Sequence, residues 1–266
     1  MVNQVMVMDY EIKIVPDLVQ ANDSKIVLLI LSGLGGLPSG PNLLTELQQA
    51  HTPNMDALAR RSSCGLLTPL APGFVPTASM AVLSLLGYDP LLVQDRNADL
   101  PPITGLYHLS CCVITDDKDY PDKILQVGFS RLFSLAAIDV LPQAVSTALQ
   151  SFELVLVHLT ETERAGMNGD YYGKIKVLEK LDQYLPELIA LKPDVLAVTG
   201  DRSVPTSLAA PTWHPVPLMI QSKFCRYDEA RKFDEISCSR GGLGNLRSKQ
   251  LMPLLLAHAD RMRPVG

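Results

Sequence analysis

Apolar positions along this chain fall into two kinds of run. The first is apolar on both faces of a strand: Lys25-Ile-Val-Leu-Leu-Ile-Leu31, Leu154-Val-Leu-Val-His158 and Val195-Leu-Ala-Val198, with weaker examples at Cys111–Thr115 and residues 216–221. A strand covered by helices on both faces reads this way, so these runs predict a parallel sheet. The second kind repeats at helical spacing. In residues 171–191, Ile175, Leu178, Leu181, Leu185 and Leu188 form one stripe. Shorter helices are predicted over 54–61, with Thr52 as cap and Pro53 at the first position, and over 78–86, closing at Gly87. Two more are predicted over 141–150 and 248–262. Residues 1–24 lack a clear period and offer at most an edge strand at 5–8 or 12–15. Strands alternating with helices, with no repeat and no linker, predict one α/β domain over residues 1–266.

In such sheets chemistry gathers in the loops that follow the carboxyl ends of the strands. Three loops qualify: Ser32-Gly-Leu-Gly-Gly36, residues 160–170, and residues 199–205, which begin Thr199-Gly-Asp201. The glycine loop lacks the spacing of a dinucleotide fingerprint and runs into Pro38, Gly40 and Pro41, so it reads as a backbone turn. The histidines 51, 108, 158, 214 and 258 form no i, i+4 pair, and His158 within a strand reads as a hydrogen-bonded core residue. Asp201 is the most chemical-looking position, but one carboxylate makes no metal site.

Composition narrows the class. Of 266 residues, 47% are hydrophobic and 19% charged, which argues for a folded chain with a sizeable core. Lys and Arg number 23 against 28 Asp and Glu, a net −5 that suits neither a nucleic-acid coat nor an anionic membrane surface. No apolar run reaches membrane-spanning length and no basic-then-apolar leader is evident, so a cytoplasmic protein is expected. Five cysteines, two of them adjacent, make a poor disulfide framework and a poor zinc site.

Several motifs, in order, carry a resemblance. They are Pro53-Asn-Met-Asp-Ala-Leu-Ala59, Gly87-Tyr-Asp-Pro90, Val157-His158 with Gly166 and Gly169-Asp170, Thr199-Gly-Asp-Arg-Ser-Val-Pro205, Pro215-Val-Pro217, and Gly241-Gly-Leu-Gly244 with Leu251-Met-Pro253. Over residues 25–90 and 153–256 the chain resembles the archaeal-type, cofactor-independent phosphoglycerate mutases of the alkaline phosphatase superfamily. The resemblance implies a three-layer sandwich, a mostly parallel sheet with helices on both faces. It also implies two divalent metals, usually manganese, beside a serine that becomes phosphorylated.

Position by position, that apparatus is replaced. Ala78, between Thr77 and Ser79, stands at the nucleophile position. The metal-ligand positions fall on Ser32, Glu163, Met167, Asp201, Arg202 and Pro211, of which only Asp201 is retained and Glu163 is a chemical cousin. Alanine has no atom to attack phosphorus, and methionine, arginine and proline remove every nitrogen ligand. The family's cap domain falls within residues 91–152, too short to hold one; residues 91–110 are its expected remnant, and Asp95-Arg96-Asn97 is a faint echo of its substrate-gripping arginines.

The expected function is therefore that of a degenerate phosphoglycerate-mutase-like protein with a structural or binding role, no bound metal, and an unknown protein partner or homo-oligomer. The alternative is a metal-dependent mutase or phosphatase with a remodelled site, using Thr77 or Ser79 beside Asp201 and Glu163. A third reading is a binder of small phosphorylated ligands through Arg202, Lys174 and the glycine loops. Arg202 either pairs with Asp201 or Glu163, replacing metal charge, or points into solvent.

Overall fold

The computed structural model describes residues 16–89, 100–120 and 122–263. The expected strands at 5–8 and 12–15, the Asp95-Arg96-Asn97 motif and Pro90 lie outside them.

Eight strands among the described residues form one sheet: β1 (Ile26–Leu31), β2 (Ser63–Thr68), β3 (Cys111–Thr115), β4 (Arg131–Ser134), β5 (Leu154–Leu159), β6 (Val195–Thr199), β7 (Val216–Ser222) and β8 (Gly244–Arg247). Their order is β4-β3-β5-β1-β6-β7-β2-β8. Of these, β7 runs against its neighbours β6 and β2; the other pairs are parallel. β1 lies in the middle of the sheet, with all six residues buried. Its alternate side chains feed two separate cores. Ile26, Leu28 and Ile30 join one cluster, and Val27, Leu29 and Leu31 join the other. Burying each such side chain is worth roughly 1.5–3 kcal/mol, which explains the unbroken apolar run.

The first cluster lies under helices α3 (Ala78–Leu85), α4 (Ile103–Tyr107) and α10 (Leu251–His258), with Ile124 of α5 (Asp122–Leu125). The second lies under α2 (Pro53–Ala59), α6 (Leu141–Leu149) and α8 (Tyr171–Ala190), with Leu47 of α1 (Glu46–Gln49) and Cys238 of α9 (Glu235–Cys238). This is a three-layer sandwich, the sheet lying between two layers of helices. The stripe on α8 is buried at all five positions. Gly87, at φ +91°, supplies the left-handed turn that stops the chain after α3.

Four expectations need correction. Residues 160–170 are not a plain loop, because α7 (Glu161–Met167) forms within them. Thr52 makes no side-chain cap; instead the Asp182 carboxylate of α8 accepts from Asn54 N (3.2 Å) and Met55 N (2.7 Å), so a tertiary contact does the capping. The last helix is shorter than residues 248–262, opening as a 3-10 turn at Ser248–Gln250 and ending where Asp260 turns left-handed at φ +60°. β7 is antiparallel, although its apolar run reads like the parallel strands.

The chain's two flanks meet at Arg261, which is fully buried. Its guanidinium donates to the carbonyls of Asn22 and Ser24, to Ser24 Oγ (2.9 Å) and to Glu153 Oε1 (3.0 Å). All five cysteines are free thiols. No helix among the described residues is long and apolar enough to cross a membrane.

Candidate functional site

The carboxyl ends of β1, β5 and β6 are neighbours at the centre of the sheet, so the residues that leave them must converge. Ser32 leaves β1, Asp201 follows β6, and Glu163 arrives from the first turns of α7 after β5. Ser32 Oγ lies 2.7 Å from Glu163 Oε2 and 3.0 Å from Asp201 Oδ2, both hydrogen-bond distances. Gly33 N donates to Asp201 Oδ1 at 3.0 Å. Gly33 holds φ +72°, and a Cβ there would sit 2.9 Å from Glu163 Cα, so the approach of β1 to α7 requires a residue without a side chain.

Arg202 closes the cluster. Its guanidinium is inside the protein, with the side chain 8% exposed, and pairs with Glu163 Oε1. Nη1 donates to Pro76 O (3.2 Å) on the segment leading into α3, and Nε lies 3.9 Å from Asp201 Oδ2. One side chain therefore ties three loops together. Asp201 is wholly buried; burial would push its carboxyl up, but His158, Arg202 and the Gly33 N–H together hold it below the usual carboxylate range. The His158 contribution acts across 3.8 Å between Nε2 and Asp201 Oδ2, too long for a hydrogen bond. His158 is thus not the hydrogen-bonded core residue expected: both ring nitrogens are buried without a hydrogen-bond partner, and the ring packs edge-on against Tyr120.

The remaining predicted positions lie around this centre. Ala78 opens α3, and the Thr77 hydroxyl accepts from Met80 N at 3.3 Å as its cap. Ser79 is half-buried in the same first turn. Met167 is 45% exposed and lines, with Asp117, Thr160, Glu163, Arg164 and Asn168, an open cleft of about 450 Å3. Pro211 is carried beside the Asp201 loop because Thr212 N donates to Ser203 O (2.8 Å). Lys174 does not face a ligand pocket at all. Its ammonium is fully buried and donates to Gly35 O (3.1 Å) and Val204 O (2.9 Å), 3.7 Å from Glu46 Oε2. The phosphate-binding role expected for it is corrected: its donors are spent on the two site loops.

Sequence reading missed the companions of Lys174. Glu46 accepts from Thr206 N (2.8 Å) and the Thr206 hydroxyl, and Glu235 accepts from Gly36 N (3.0 Å) and Thr45 Oγ1 (2.8 Å). Burial draws the Lys174 ammonium below the ordinary lysine range against the pull of both carboxylates. Burial raises the Glu235 carboxyl, with Thr45, Gly36 and Lys174 acting the other way. These contacts join residues far apart in the chain, and no local pattern marks them.

The donor set around Asp201 does not suit a pair of divalent ions. Ser32, Glu163 and Asp201 offer oxygens, but Glu163 already carries a guanidinium, Pro211 has no donor, and Met167 offers only a thioether at the rim. Among the described residues, no three His, Cys, Asp or Glu side chains are grouped to hold a metal ion.

The sequence profile of the metalloenzyme superfamily matches residues 24–138 and 133–258, both halves of the sheet. The chain belongs to the metalloenzyme superfamily. The proteins it is similar to include a probable 2,3-bisphosphoglycerate-independent phosphoglycerate mutase of Thermus thermophilus, 28% identical over 400 aligned positions that cover 95% of this chain and 98% of that protein. A protein of the same description from Thermosipho africanus is 27% identical over 397 positions, covering 96% and 98%. At least 134 of the 400 positions (400 less 266) have no residue here, and the two profile matches meet at residues 133–138, inside the interval predicted to lack a cap. Among solved structures, the PH0037 protein of Pyrococcus horikoshii has a TM-score of 0.84 at 21% identity, covering 93% of this chain and 100% of that one. The cofactor-independent phosphoglycerate mutase of Thermoplasma acidophilum has 0.69 at 16%, covering 89% and 100%. The alkaline phosphatase of the Antarctic bacterium TAB5 has 0.57 at 9%, covering 92% and 100%. At these identities the solved structures speak for the fold. This superfamily member is thus phosphoglycerate-mutase-like in sequence and alkaline-phosphatase-like in fold, and its described residues include no cap domain.

Proposed function

We propose that this superfamily member has given up phosphoryl transfer and serves a structural or binding role, through a protein partner or a second copy of itself. The observation that carries the reading is Ala78 at the head of α3, where the resemblance puts the attacking hydroxyl. A methyl group cannot form a phosphoenzyme. Its neighbours do not substitute for it: successive helical residues point about 100° apart, and the Thr77 hydroxyl is engaged as a cap. A donor set unsuited to paired divalent ions adds to this, because the charge that develops on a transferring phosphoryl group then lacks a Lewis acid to stabilise it.

A second reading rests on the three oxygens that converge at Ser32, Glu163 and Asp201. They would serve a hydrolase or transferase that holds one hard cation and uses Thr77 or Ser79 as nucleophile. One experiment separates the two. Purified protein is assayed for phosphoglycerate interconversion and for phosphatase activity with manganese and with magnesium, beside Asp201→Ala. The proposal expects no turnover above background. Metal-dependent turnover abolished by Asp201→Ala overturns it in favour of the second reading.

A further inference from the structure

Ser32 Oγ sits within hydrogen-bond distance of two carboxylate oxygens, yet a hydroxyl has one proton to give. Whichever carboxylate receives it, the other faces a lone pair. The cluster is therefore rich in negative charge at a place where Asp201 is wholly buried and the Glu163 side chain is 18% exposed. Buried charge of this kind persists only when paired. Arg202 supplies the pairing: it bonds Glu163, approaches Asp201, and donates to Pro76 O. The His158 imidazole also stands beside Asp201, at 3.8 Å.

We infer that Arg202 is a tethered cation holding the Ser32–Glu163–Asp201 cluster in the role a bound metal would otherwise fill, so that removing its guanidinium creates a site for a free divalent cation. The inference rests on the donor mismatch described above, and it deepens the proposed function. A cation attached to the chain makes the stability of the site indifferent to metal supply and to chelators. Taken away, it leaves the hydroxyl and two carboxylates, a hard oxygen set of the type magnesium and manganese accept with water completing the shell. Arginine suits the task because its fork reaches three partners in fixed directions.

Thermal unfolding of the full chain tests this, first in EDTA and then with manganese chloride in excess. Wild type is expected to shift by less than about 1 °C between the two conditions, since its cation is already in place. Arg202→Met is expected to melt roughly 6–15 °C lower in EDTA, and to regain about 5 °C or more with manganese. The double variant Arg202→Met/Glu163→Gln is expected to melt above Arg202→Met in EDTA, because one uncompensated charge is gone, and to respond less to manganese. If Arg202→Met does not fold, Arg202→Lys carries the test: it is expected to melt below wild type and stay indifferent to manganese. A manganese shift in wild type or in Arg202→Lys overturns the inference. So does an Arg202→Met protein that melts like wild type, or melts lower and ignores manganese. Manganese-dependent mutase activity in wild type would overturn the proposed function as well. Melting results against Arg202 beside an inactive wild type would overturn this inference alone.

Discussion

Lys174→Met is the most demanding perturbation this structure offers outside the Asp201 cluster. Methionine keeps most of the buried aliphatic length and deletes only the ammonium. Three groups then lose a partner. Glu46 Oε2 has no hydrogen-bond partner and relies on the ammonium at 3.7 Å; Val204 O loses its charged donor; and Gly35 O retains Val204 N alone. Breaking a buried ion pair costs about 3–5 kcal/mol, and leaving a buried carbonyl underserved adds about 1 kcal/mol. The expected loss is thus about 4–6 kcal/mol, a large share of the roughly 5–15 kcal/mol a domain commonly has. At about 2–4 °C per kcal/mol, the melting temperature should fall by roughly 8–24 °C. Urea unfolding followed by circular dichroism measures the loss. Fluorescence of Trp213, the chain's one tryptophan and stacked on His214 near the Asp201 loop, reports the site locally. Adding Glu46→Gln should recover about 2 kcal/mol, since the amide still accepts from Thr206 without stranding a charge. A loss under about 1 kcal/mol, or a second substitution that worsens the first, would show that the ammonium does not hold the loops.

Three further outcomes follow from the geometry. Folding raises the Glu235 carboxyl above its ordinary value of 4.5, so the associated stability is complete below that pH and is lost as pH climbs through the folded-state value. Glu235→Gln, which keeps the neutral form, should therefore gain on wild type as pH rises above 4.5; a difference that does not change with pH contradicts the burial argument. Gly33→Ala must place a methyl 3.0 Å from Val204 Cβ at a left-handed φ, and should cost about 2 kcal/mol or more in chemical denaturation, with a near-neutral result refuting the close packing of β1 on α7. Thr77→Ala should lose about 1 kcal/mol and Thr77→Ser almost none; equal losses would mean the hydroxyl does not cap α3.

What could be read in advance was whatever the chain writes locally. The runs of β1, β3, β5 and β6 are apolar throughout because both faces are covered, and that is visible without knowing the neighbours. β2, β4 and β8 were not visible: β2 mixes Ser63, Gly65 and Thr68 with apolar residues, and β4 and β8 are largely exposed and only four residues long, so none carries a distinctive period. The direction of β7 depends on how the chain returns, not on its own residues. At the site, resemblance located Ser32, Glu163, Asp201 and Arg202, but which carboxylate the guanidinium bonds is a matter of angle and distance. Glu46 and Glu235 were illegible for a stronger reason. Each looks like a solvated acid, and only partners more than a hundred residues away along the sequence leave Glu46 fully buried and Glu235 half-buried.

Arg261 carries one further consequence. A single guanidinium clasps the lead-in to β1, the start of β5 and its own turn after α10. β1 and β5 are hydrogen-bonded neighbours in the middle of the sheet, so the latch at the rim is wired straight to the deepest ladder. A protease nick or a substitution at this outlying turn should therefore loosen the interior first, while the edge strand β8 is left undisturbed.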